Sequence, residues 1–277
     1  MPQLLAGKTA LVLGVANRWS LAYAIAQAFT REGANLILTY QGDRQKLTVE
    51  ELAADLKAQQ TLACDVTEDA QLEALTKELK NQGTVLNCVV HSIAFANRED
   101  LSRPFVETSR AGFALAQDVS AYSLVAVARA TAPLMAPKDQ GGGCILTLTY
   151  LGSSRVVENY NVMGVAKAAL EAAVRYLASD LGPSNIRVNA ISAGAVKTAS
   201  ARAVRGISKM IEGAASIAPL RRSTDPAEVA DAAVFLASDL GRGVTGNILY
   251  VDAGMHIMGF AGLEAEHGPA AAKLTST

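Results

Sequence analysis

A tyrosine and a lysine stand seven residues apart at the start of an alanine-rich stretch, ENYNVMGVAKAALEAAVRYLA, which runs from Glu158 to Ala178. In a helix, seven residues at about 100° each complete nearly two turns, so Tyr160 and Lys167 would share one face. A phenol and an ammonium on one face could serve catalysis. The pair alone is explained as well by a solvated amphipathic helix with an extended lysine. The choice between these two interpretations depends on the rest of the sequence.

Composition narrows the class of protein. The chain has 277 residues, of which 50% are hydrophobic and 18% charged, and its net charge of −1 argues against binding to bulk nucleic acid or to a membrane. We find no uninterrupted apolar run long enough for a membrane span and no signal peptide, and expect a cytoplasmic protein. Three cysteines and three scattered histidines indicate buried thiols in a reducing compartment and no metal site.

Short β-branched segments alternate with helix-period segments along the chain. The predicted strands are 9–15, 35–40, 61–66, 86–93, 145–150, 186–192 and 247–252. The predicted helices are 22–31, 47–57, 70–80, 111–132, 162–181 and 227–237. Apolar strands that alternate with helices predict an α/β fold: a single-domain, Rossmann-like, doubly wound parallel sheet of about seven strands with helices on both faces. Thr67 is predicted to cap the third helix, and Asp225-Pro226 the last one.

Two segments depart from this alternation. Segment 195–220 is too long for an ordinary connection and predicts a lid over a binding site. Segment 261–277 is rich in Ala, Gly, Thr and Ser and predicts a disordered tail, which leaves 1–260 as the folded domain.

Ligands of open α/β sheets bind beyond the carboxyl ends of the strands. The first predicted strand runs into Gly14-Val-Ala-Asn-Arg-Trp-Ser20-Leu21, where a glycine turn and a helix N-terminus could hold a pyrophosphate. The glycine spacing of the common dinucleotide motif is absent, so a plain strand-to-helix turn is an equal alternative.

Two more strand ends bear on the choice of ligand. The carboxylate of Asp65-Val66 could accept a hydrogen bond from an adenine amine or could cap the next helix, and both roles could hold. Gln41 stands where an acidic residue would bind the ribose of NAD, and Arg44 and Lys46 could meet a 2′-phosphate. The sequence favours NADH but leaves NADPH possible.

From Leu5 to about Phe260 the chain resembles the short-chain dehydrogenase/reductase superfamily, and within it the enoyl-acyl-carrier-protein reductases of type II fatty acid synthesis. The segments that carry the resemblance are GVANRWSLAYAIA (14–26), HSIAFA (91–96), TYLGS (149–153), NYNVMGVAKAALEAAVRYLA (159–178), IRVNAISAG (186–194) and GNILYVDAG (246–254). Carbonyl-reducing members carry Tyr-x3-Lys with an upstream Ser. Counted back from Lys167, those positions hold Met163 and Tyr150, and the phenol is one turn earlier at Tyr160.

This offset favours a thioester enolate as the bound intermediate rather than an alkoxide. This sequence departs from the family pattern at Ala94, at Ala195-Val196-Lys197-Thr198 and at Trp19. These departures put the affinity for the cofactor in question more than the chemistry. Two alternatives stay open: a carbonyl reductase of the same superfamily and a non-catalytic nicotinamide-sensing regulator.

The resemblance implies a set of site residues and partners. Tyr150, Tyr160 and Lys167 would be catalytic, with Ala96, Tyr150 and Tyr160 at the substrate. The implied cofactor-binding residues are Gly14, Ser20, Leu21, Gln41, Asp65, Val66, Ser92, Ile93, Lys167, Val196 and Thr198. The family implies a homotetramer and an acyl carrier protein as partner. Arg202, Arg205 and Lys209 would share one face of a predicted short helix, and Arg205 and Lys209 are expected to dock the carrier; a solvated helix face without a partner is the alternative.

Overall fold

The protein forms a seven-stranded sheet in which all strands run parallel, in the order β3-β2-β1-β4-β5-β6-β7. The computed structural model describes residues 3–196 and 207–259, with the side chains of 207–210 left out. The strands are β1 (Thr9–Leu13), β2 (Asn35–Tyr40), β3 (Gln60–Ala63), β4 (Cys88–His91), β5 (Gly143–Thr149), β6 (Ile186–Ala193) and β7 (Ile248–Val251). The strand order reverses direction at β1 and β4, as in a doubly wound sheet, which confirms the predicted fold class.

Helices cover both faces of this sheet. They are α1 (Leu21–Arg31), α2 (Asp43–Asp55), α3 (Asp69–Asn81), α4 (Arg98–Ser102), α5 (Arg110–Gln117), α6 (Ser123–Thr131), α7 (Asn161–Leu181), α8 (Ile207–Ile217) and α9 (Pro226–Ala237). One apolar core lies between the sheet and α1, α2 and α9, and a second lies between the sheet and α3, α6 and α7. Because both faces are covered, the strands are apolar on both sides.

The two predicted helix caps had different outcomes. Asp225 caps α9 through a full capping box, in which its side chain accepts from Ala227 N and the Glu228 carboxylate accepts from Asp225 N. The prediction for Thr67 was wrong: Glu68 is the N-cap of α3, and the Thr67 amide and hydroxyl both donate to Asp65 Oδ1. A carboxylate two residues upstream competes successfully for the Thr67 side chain.

The predicted long helix at 111–132 is a composite of α5, a single π-helical turn over Asp118–Tyr122, and α6. The continuous helical run Arg110–Leu134 is long and apolar enough to cross a membrane by length and composition, but half of its most apolar window is buried inside the protein. Packing against α3 and α7 accounts for this apolar character, which is that of a core helix in a folded domain.

Candidate active site

The Tyr–Lys pair lies where β5 ends and α7 begins. Tyr160 is the residue immediately before α7, and Lys167 lies on the second turn of that helix. The ring of Tyr160 packs against Gly152, where an added Cβ would overlap the ring, and Gly164 packs against the Gly152 carbonyl. Two glycines thus allow the β5–α7 connection to approach the helix closely enough to fix the phenol.

Tyr150 and Tyr160 form one aromatic unit. Their ring centroids are 5.0 Å apart at an interplanar angle of 68°, an edge-to-face arrangement. Burial, followed by the neighbouring Tyr150 and the Glu171 carboxylate, raises the pKa of Tyr160 above its usual value. Burial and then Asp252 raise the pKa of Tyr150. Both phenols therefore keep their protons at neutral pH and can donate hydrogen bonds.

Lys167, on the second turn of α7, is almost fully buried, with 5% of its surface exposed. Its Nζ donates a hydrogen bond of 2.7 Å to the carbonyl oxygen of Leu148, near the end of β5. Burial lowers the pKa of Lys167 to about 8, although the Glu171 carboxylate opposes the shift. The ammonium is thus charged at neutral pH and is close to losing its proton.

Met163 occupies the position at which a carbonyl reductase carries its tyrosine, and it is buried in a small apolar cluster with Ala96, Val162 and Ala166. Tyr160 packs against the same cluster. A buried thioether cannot protonate a carbonyl, so the structure agrees with the offset seen in the sequence.

The glycine turn after β1 has the geometry of a backbone cradle. Gly14 has a φ of +94°, and an added Cβ would overlap the Ser92 carbonyl oxygen at the end of β4. Ser20 is the N-cap of α1: its hydroxyl accepts from Tyr23 N at 3.1 Å, and Leu21 is the first helical residue. The turn therefore leads into a helix N-terminus that points at the carboxyl edge of the sheet, a site suited to a pyrophosphate.

Gln41 and Asp65 meet at the ends of β2 and β3. The Gln41 amide donates to Asp65 Oδ2 at 2.8 Å. Burial alone would raise the pKa of Asp65, but hydrogen bonds from Gln41 and from the amide and hydroxyl of Thr67 together lower it. The predicted cap was therefore wrong for Asp65: Glu68 is the N-cap of α3, and Asp65 accepts from Gln41 and Thr67 in the turn before that helix, next to the buried Val66.

Several predicted cofactor contacts fall around the same edge. Ser92 N donates to Leu13 O at 3.1 Å, and Ser92 and Ile93 are half-buried just beyond β4. Val196 is half-buried beyond β6. Thr198, Arg202 and Arg205 lie outside the described residues, and Lys209 lies within α8, whose first side chains are not described.

A cavity of about 500 Å³ opens beside Tyr150. It is bounded by Tyr150, by Gly194 beyond β6, by Asp252 beyond β7, and by Ile211 and Ala218 from the lid segment. Ile211 and Ala218 are buried, so the described part of the lid forms an apolar wall. Tyr160 does not line this cavity. It packs against Tyr150, which does.

Three polar residues near the site were not predicted. Asp252, at the carboxyl end of β7, is buried and accepts from Gly254 N and from the backbone and ring of His256. His91 is fully buried between Thr147 (2.9 Å) and Ser123 (2.8 Å). Glu171 accepts a 2.7 Å hydrogen bond from the Thr149 hydroxyl. The strand-end rule would have found Asp252, because it is the final residue of the last predicted strand.

Metal chemistry has little support in the described part of the chain. Within residues 3–196 and 207–259, no group of three or more His, Cys, Asp or Glu side chains could hold a metal ion. Cys64, Cys88 and Cys144 are free, buried thiols, as predicted.

The sheet order, the glycine turn and the Tyr–Lys pair define a Rossmann-like protein of the short-chain dehydrogenase/reductase type. A family model described as enoyl-(acyl carrier protein) reductase matches residues 14–256, and the chain belongs to that family.

Individual relatives agree over nearly the whole length. The chain is 54% identical to the NADH-dependent enoyl-[acyl-carrier-protein] reductase FabI of Bacillus cereus over 93% of this chain and 100% of that protein. It is 45% identical to FabI of Escherichia coli over 94% of this chain and 98% of that protein.

Solved structures give the same result. The B. cereus enzyme, with NADP+ and an indole naphthyridinone, matches with a TM-score of 0.89 and 53% identity over 93% of this chain and all of that one. An Anaplasma phagocytophilum enoyl-(acyl-carrier-protein) reductase in complex with NAD matches with a TM-score of 0.89 and 41% identity. The match covers 95% of this chain and 97% of that one.

Proposed function

We propose that this protein is an NADH-dependent enoyl-acyl-carrier-protein reductase, which reduces trans-2-enoyl thioesters in the last reductive step of fatty acid elongation. The observation that carries the proposal is the edge-to-face pair of Tyr150 and Tyr160 at the start of the helix that carries the buried Lys167, with Met163 in place of the usual tyrosine. The names of the relatives support the same activity over a carbonyl reductase or a nicotinamide-sensing regulator.

The residues at the sheet edge fit a nicotinamide dinucleotide. The Gly14 turn, with no room for a Cβ, and the N-terminus of α1 would hold the pyrophosphate. Gln41, Asp65 and Val66 would face the adenosine, Thr198 the pyrophosphate, and Ser92, Ile93 and Val196 the nicotinamide half. When bound, NADH supplies a hydride to the β-carbon of the enoyl thioester.

The protein's own groups would stabilise the charge that this transfer creates. Negative charge develops on the thioester oxygen, and the protonated Tyr160 hydroxyl is the proposed donor to it. Tyr150 would orient the thioester in the cavity, and Ala96 would bound the acyl site. Lys167 would bind the nicotinamide ribose and hold a positive charge near the enolate.

The coenzyme preference follows from the end of β2. Gln41 donates to Asp65, and Lys46 lies 4.0 Å from Glu50, which leaves the exposed Arg44 as the candidate clamp for a 2′-phosphate. We expect a higher kcat/KM with NADH than with NADPH. An NADPH advantage that Arg44→Ala abolishes would reverse this assignment.

We further propose that residues 1–260 form the catalytic unit, that segment 195–220 is its substrate lid, and that the enzyme is a cytoplasmic homotetramer served by an acyl carrier protein. The described part of the lid supports this role, because Ile211 and Ala218 face the cavity.

The activity is tested by the loss of NADH absorbance at 340 nm with a crotonyl thioester and, separately, with a ketone of matched length. Oxidation of NADH by the thioester alone supports enoyl reduction. Oxidation by the ketone would identify a carbonyl reductase, and NADH binding without oxidation a regulator.

A further inference from the structure

Glu171 lies on the face of α7 that carries Lys167, one helical turn farther on. Residues four apart in a helix are neighbours on its surface. The Glu171 carboxylate is held by a 2.7 Å hydrogen bond from the hydroxyl of Thr149, the last residue of β5. The preceding residue, Leu148, receives the Lys167 ammonium at 2.7 Å. Two consecutive residues of β5 thus hold the acid and the base, which are four residues apart on α7.

The geometry points to Glu171 as a positioning residue that keeps Lys167 protonated at neutral pH. This inference rests on the proposed function only for its consequence, which is that the charged ammonium binds the nicotinamide ribose. The carboxylate itself need not touch cofactor or substrate.

The need for such a residue follows from burial. A lysine with 5% of its surface exposed loses most of the hydration that stabilises its charge. The ammonium has one hydrogen bond to protein among the described residues, to a neutral carbonyl. Glu171 supplies the opposite charge and raises the pKa of Lys167, against the larger lowering by burial.

The other groups around Lys167 offer no comparable negative charge. His91 from β4 is neutral, because burial and the Lys167 charge lower its pKa to about 3. Tyr150 and Tyr160 are protonated phenols. Asp100, on α4, is engaged by Asn97 and Ser109. The remaining charged side chains on the elements that pack against α7 are the exposed Arg98, Glu99, Arg110, Asp118 and Arg129, and the half-buried Arg187.

The direct test measures the charge of Lys167 without cofactor. Lys167 has a folded pKa of about 8, below its ordinary 10.5, so the unfolded chain binds more protons in that window and the free energy of unfolding rises with pH from about 8. In Glu171→Gln we expect this rise to begin about one pH unit lower. Urea unfolding from pH 6.5 to 9.5 measures it, with Lys167→Met as the variant that should lose the rise.

Matched variants separate electrostatics from packing. Glu51→Gln, on the exposed face of α2, makes the same chemical change and should keep the parent profile. Thr149→Val leaves the carboxylate but removes its anchor, and should shift the profile in the same direction as Glu171→Gln. A Glu171→Gln profile that coincides with the parent, or is lowered equally at every pH, would overturn the inference.

The consequence for binding is measured by NADH fluorescence titration over the same pH range. We expect Glu171→Gln to match the parent at pH 6 and to bind NADH about five- to tenfold more weakly at pH 8. If the unfolding profile shifts while NADH affinity does not, Glu171 still keeps Lys167 charged and the proposed role of Lys167 in cofactor binding fails.

Discussion

At the scale of single residues, the site depends on how burial adjusts the protonation of three groups. Burial keeps Tyr150 and Tyr160 protonated and lowers the pKa of Lys167 to about 8, close to neutral pH. The residue types and their spacing were legible in the sequence, and the offset of Tyr160 from Met163 distinguished the reaction. Glu171 was not identified, because its role depends on a hydrogen bond to Thr149, which is 22 residues away in sequence.

The pKa of Lys167 predicts how NADH binding depends on pH. If the ammonium binds the ribose hydroxyls, affinity should be constant below about pH 8 and fall as the pH rises through that value. Each pH unit above it should weaken binding about tenfold as long as only the charged form binds. Fluorescence titration from pH 6 to 10 measures the profile, and Lys167→Met should bind weakly with no inflection near 8. A flat parent profile would exclude the charged ammonium as the binding group.

At the scale of elements, the strands were predicted to within about two residues because runs of β-branched and aliphatic residues mark them directly. One error arises where a side chain has more than one possible hydrogen-bond partner: the Thr67 hydroxyl donates to the Asp65 carboxylate instead of capping α3. The short helix α4 was missed because five residues carry too little periodicity to be recognised. The π-helical turn over Asp118–Tyr122 likewise leaves no mark in the apolar pattern.

His91 shows how one buried side chain joins elements far apart in sequence. Its ring connects β4 to Thr147 of β5 and to Ser123 at the start of α6, just below the strand end that carries Ser92. The motif HSIAFA marked this segment as important, but the two hydrogen bonds could not be derived from spacing.

This arrangement predicts loss of stability in acid. Burial, followed by the charge of Lys167, lowers the pKa of His91 from 6.5 to about 3. The folded form therefore stays neutral where the unfolded chain takes up a proton, so the contribution to stability is complete above pH 6.5 and is lost as the pH falls towards 3. From pH 6.5 to 5 the loss should be about 2 kcal/mol. Urea unfolding of the parent and of His91→Gln measures it, and equal losses in both would contradict the account.

At the scale of the whole molecule, the parallel sheet places seven strand ends that are far apart in sequence at one edge, from Gly14 to Asp252. The doubly wound topology was predictable because alternating strands and helices admit few arrangements. The cavity wall was only partly predictable: segment 195–220 was identified by its length, whereas the contribution of Ile211 and Ala218 required the structure.

The lid also carries the proposed docking surface for the acyl carrier protein. Arg205, which lies outside the described residues, and Lys209 would attract an acidic partner, an effect expressed mainly in the association rate and screened by salt. Reversing both charges to Glu should raise the KM for carrier-bound enoyl substrate about tenfold at low ionic strength, with little effect on a short coenzyme A thioester.

The matched control for docking is Lys77→Glu, an exposed reversal on α3. It should leave both KM values close to those of the parent. If the charge reversals in the lid impair both substrates equally, the basic residues serve the folding of the lid and the docking proposal fails.

The proposed chemistry depends most directly on the Tyr160 hydroxyl as the donor to the thioester oxygen. Tyr160→Phe removes that hydroxyl and keeps the ring that packs on Tyr150 and Gly152. The decisive measurement is the single-turnover rate of NADH oxidation after the NADH-loaded enzyme is mixed with a saturating crotonyl thioester. The rate should fall about 10²- to 10³-fold while NADH affinity stays unchanged. A parent-like rate in Tyr160→Phe would contradict the assignment of Tyr160 as the donor.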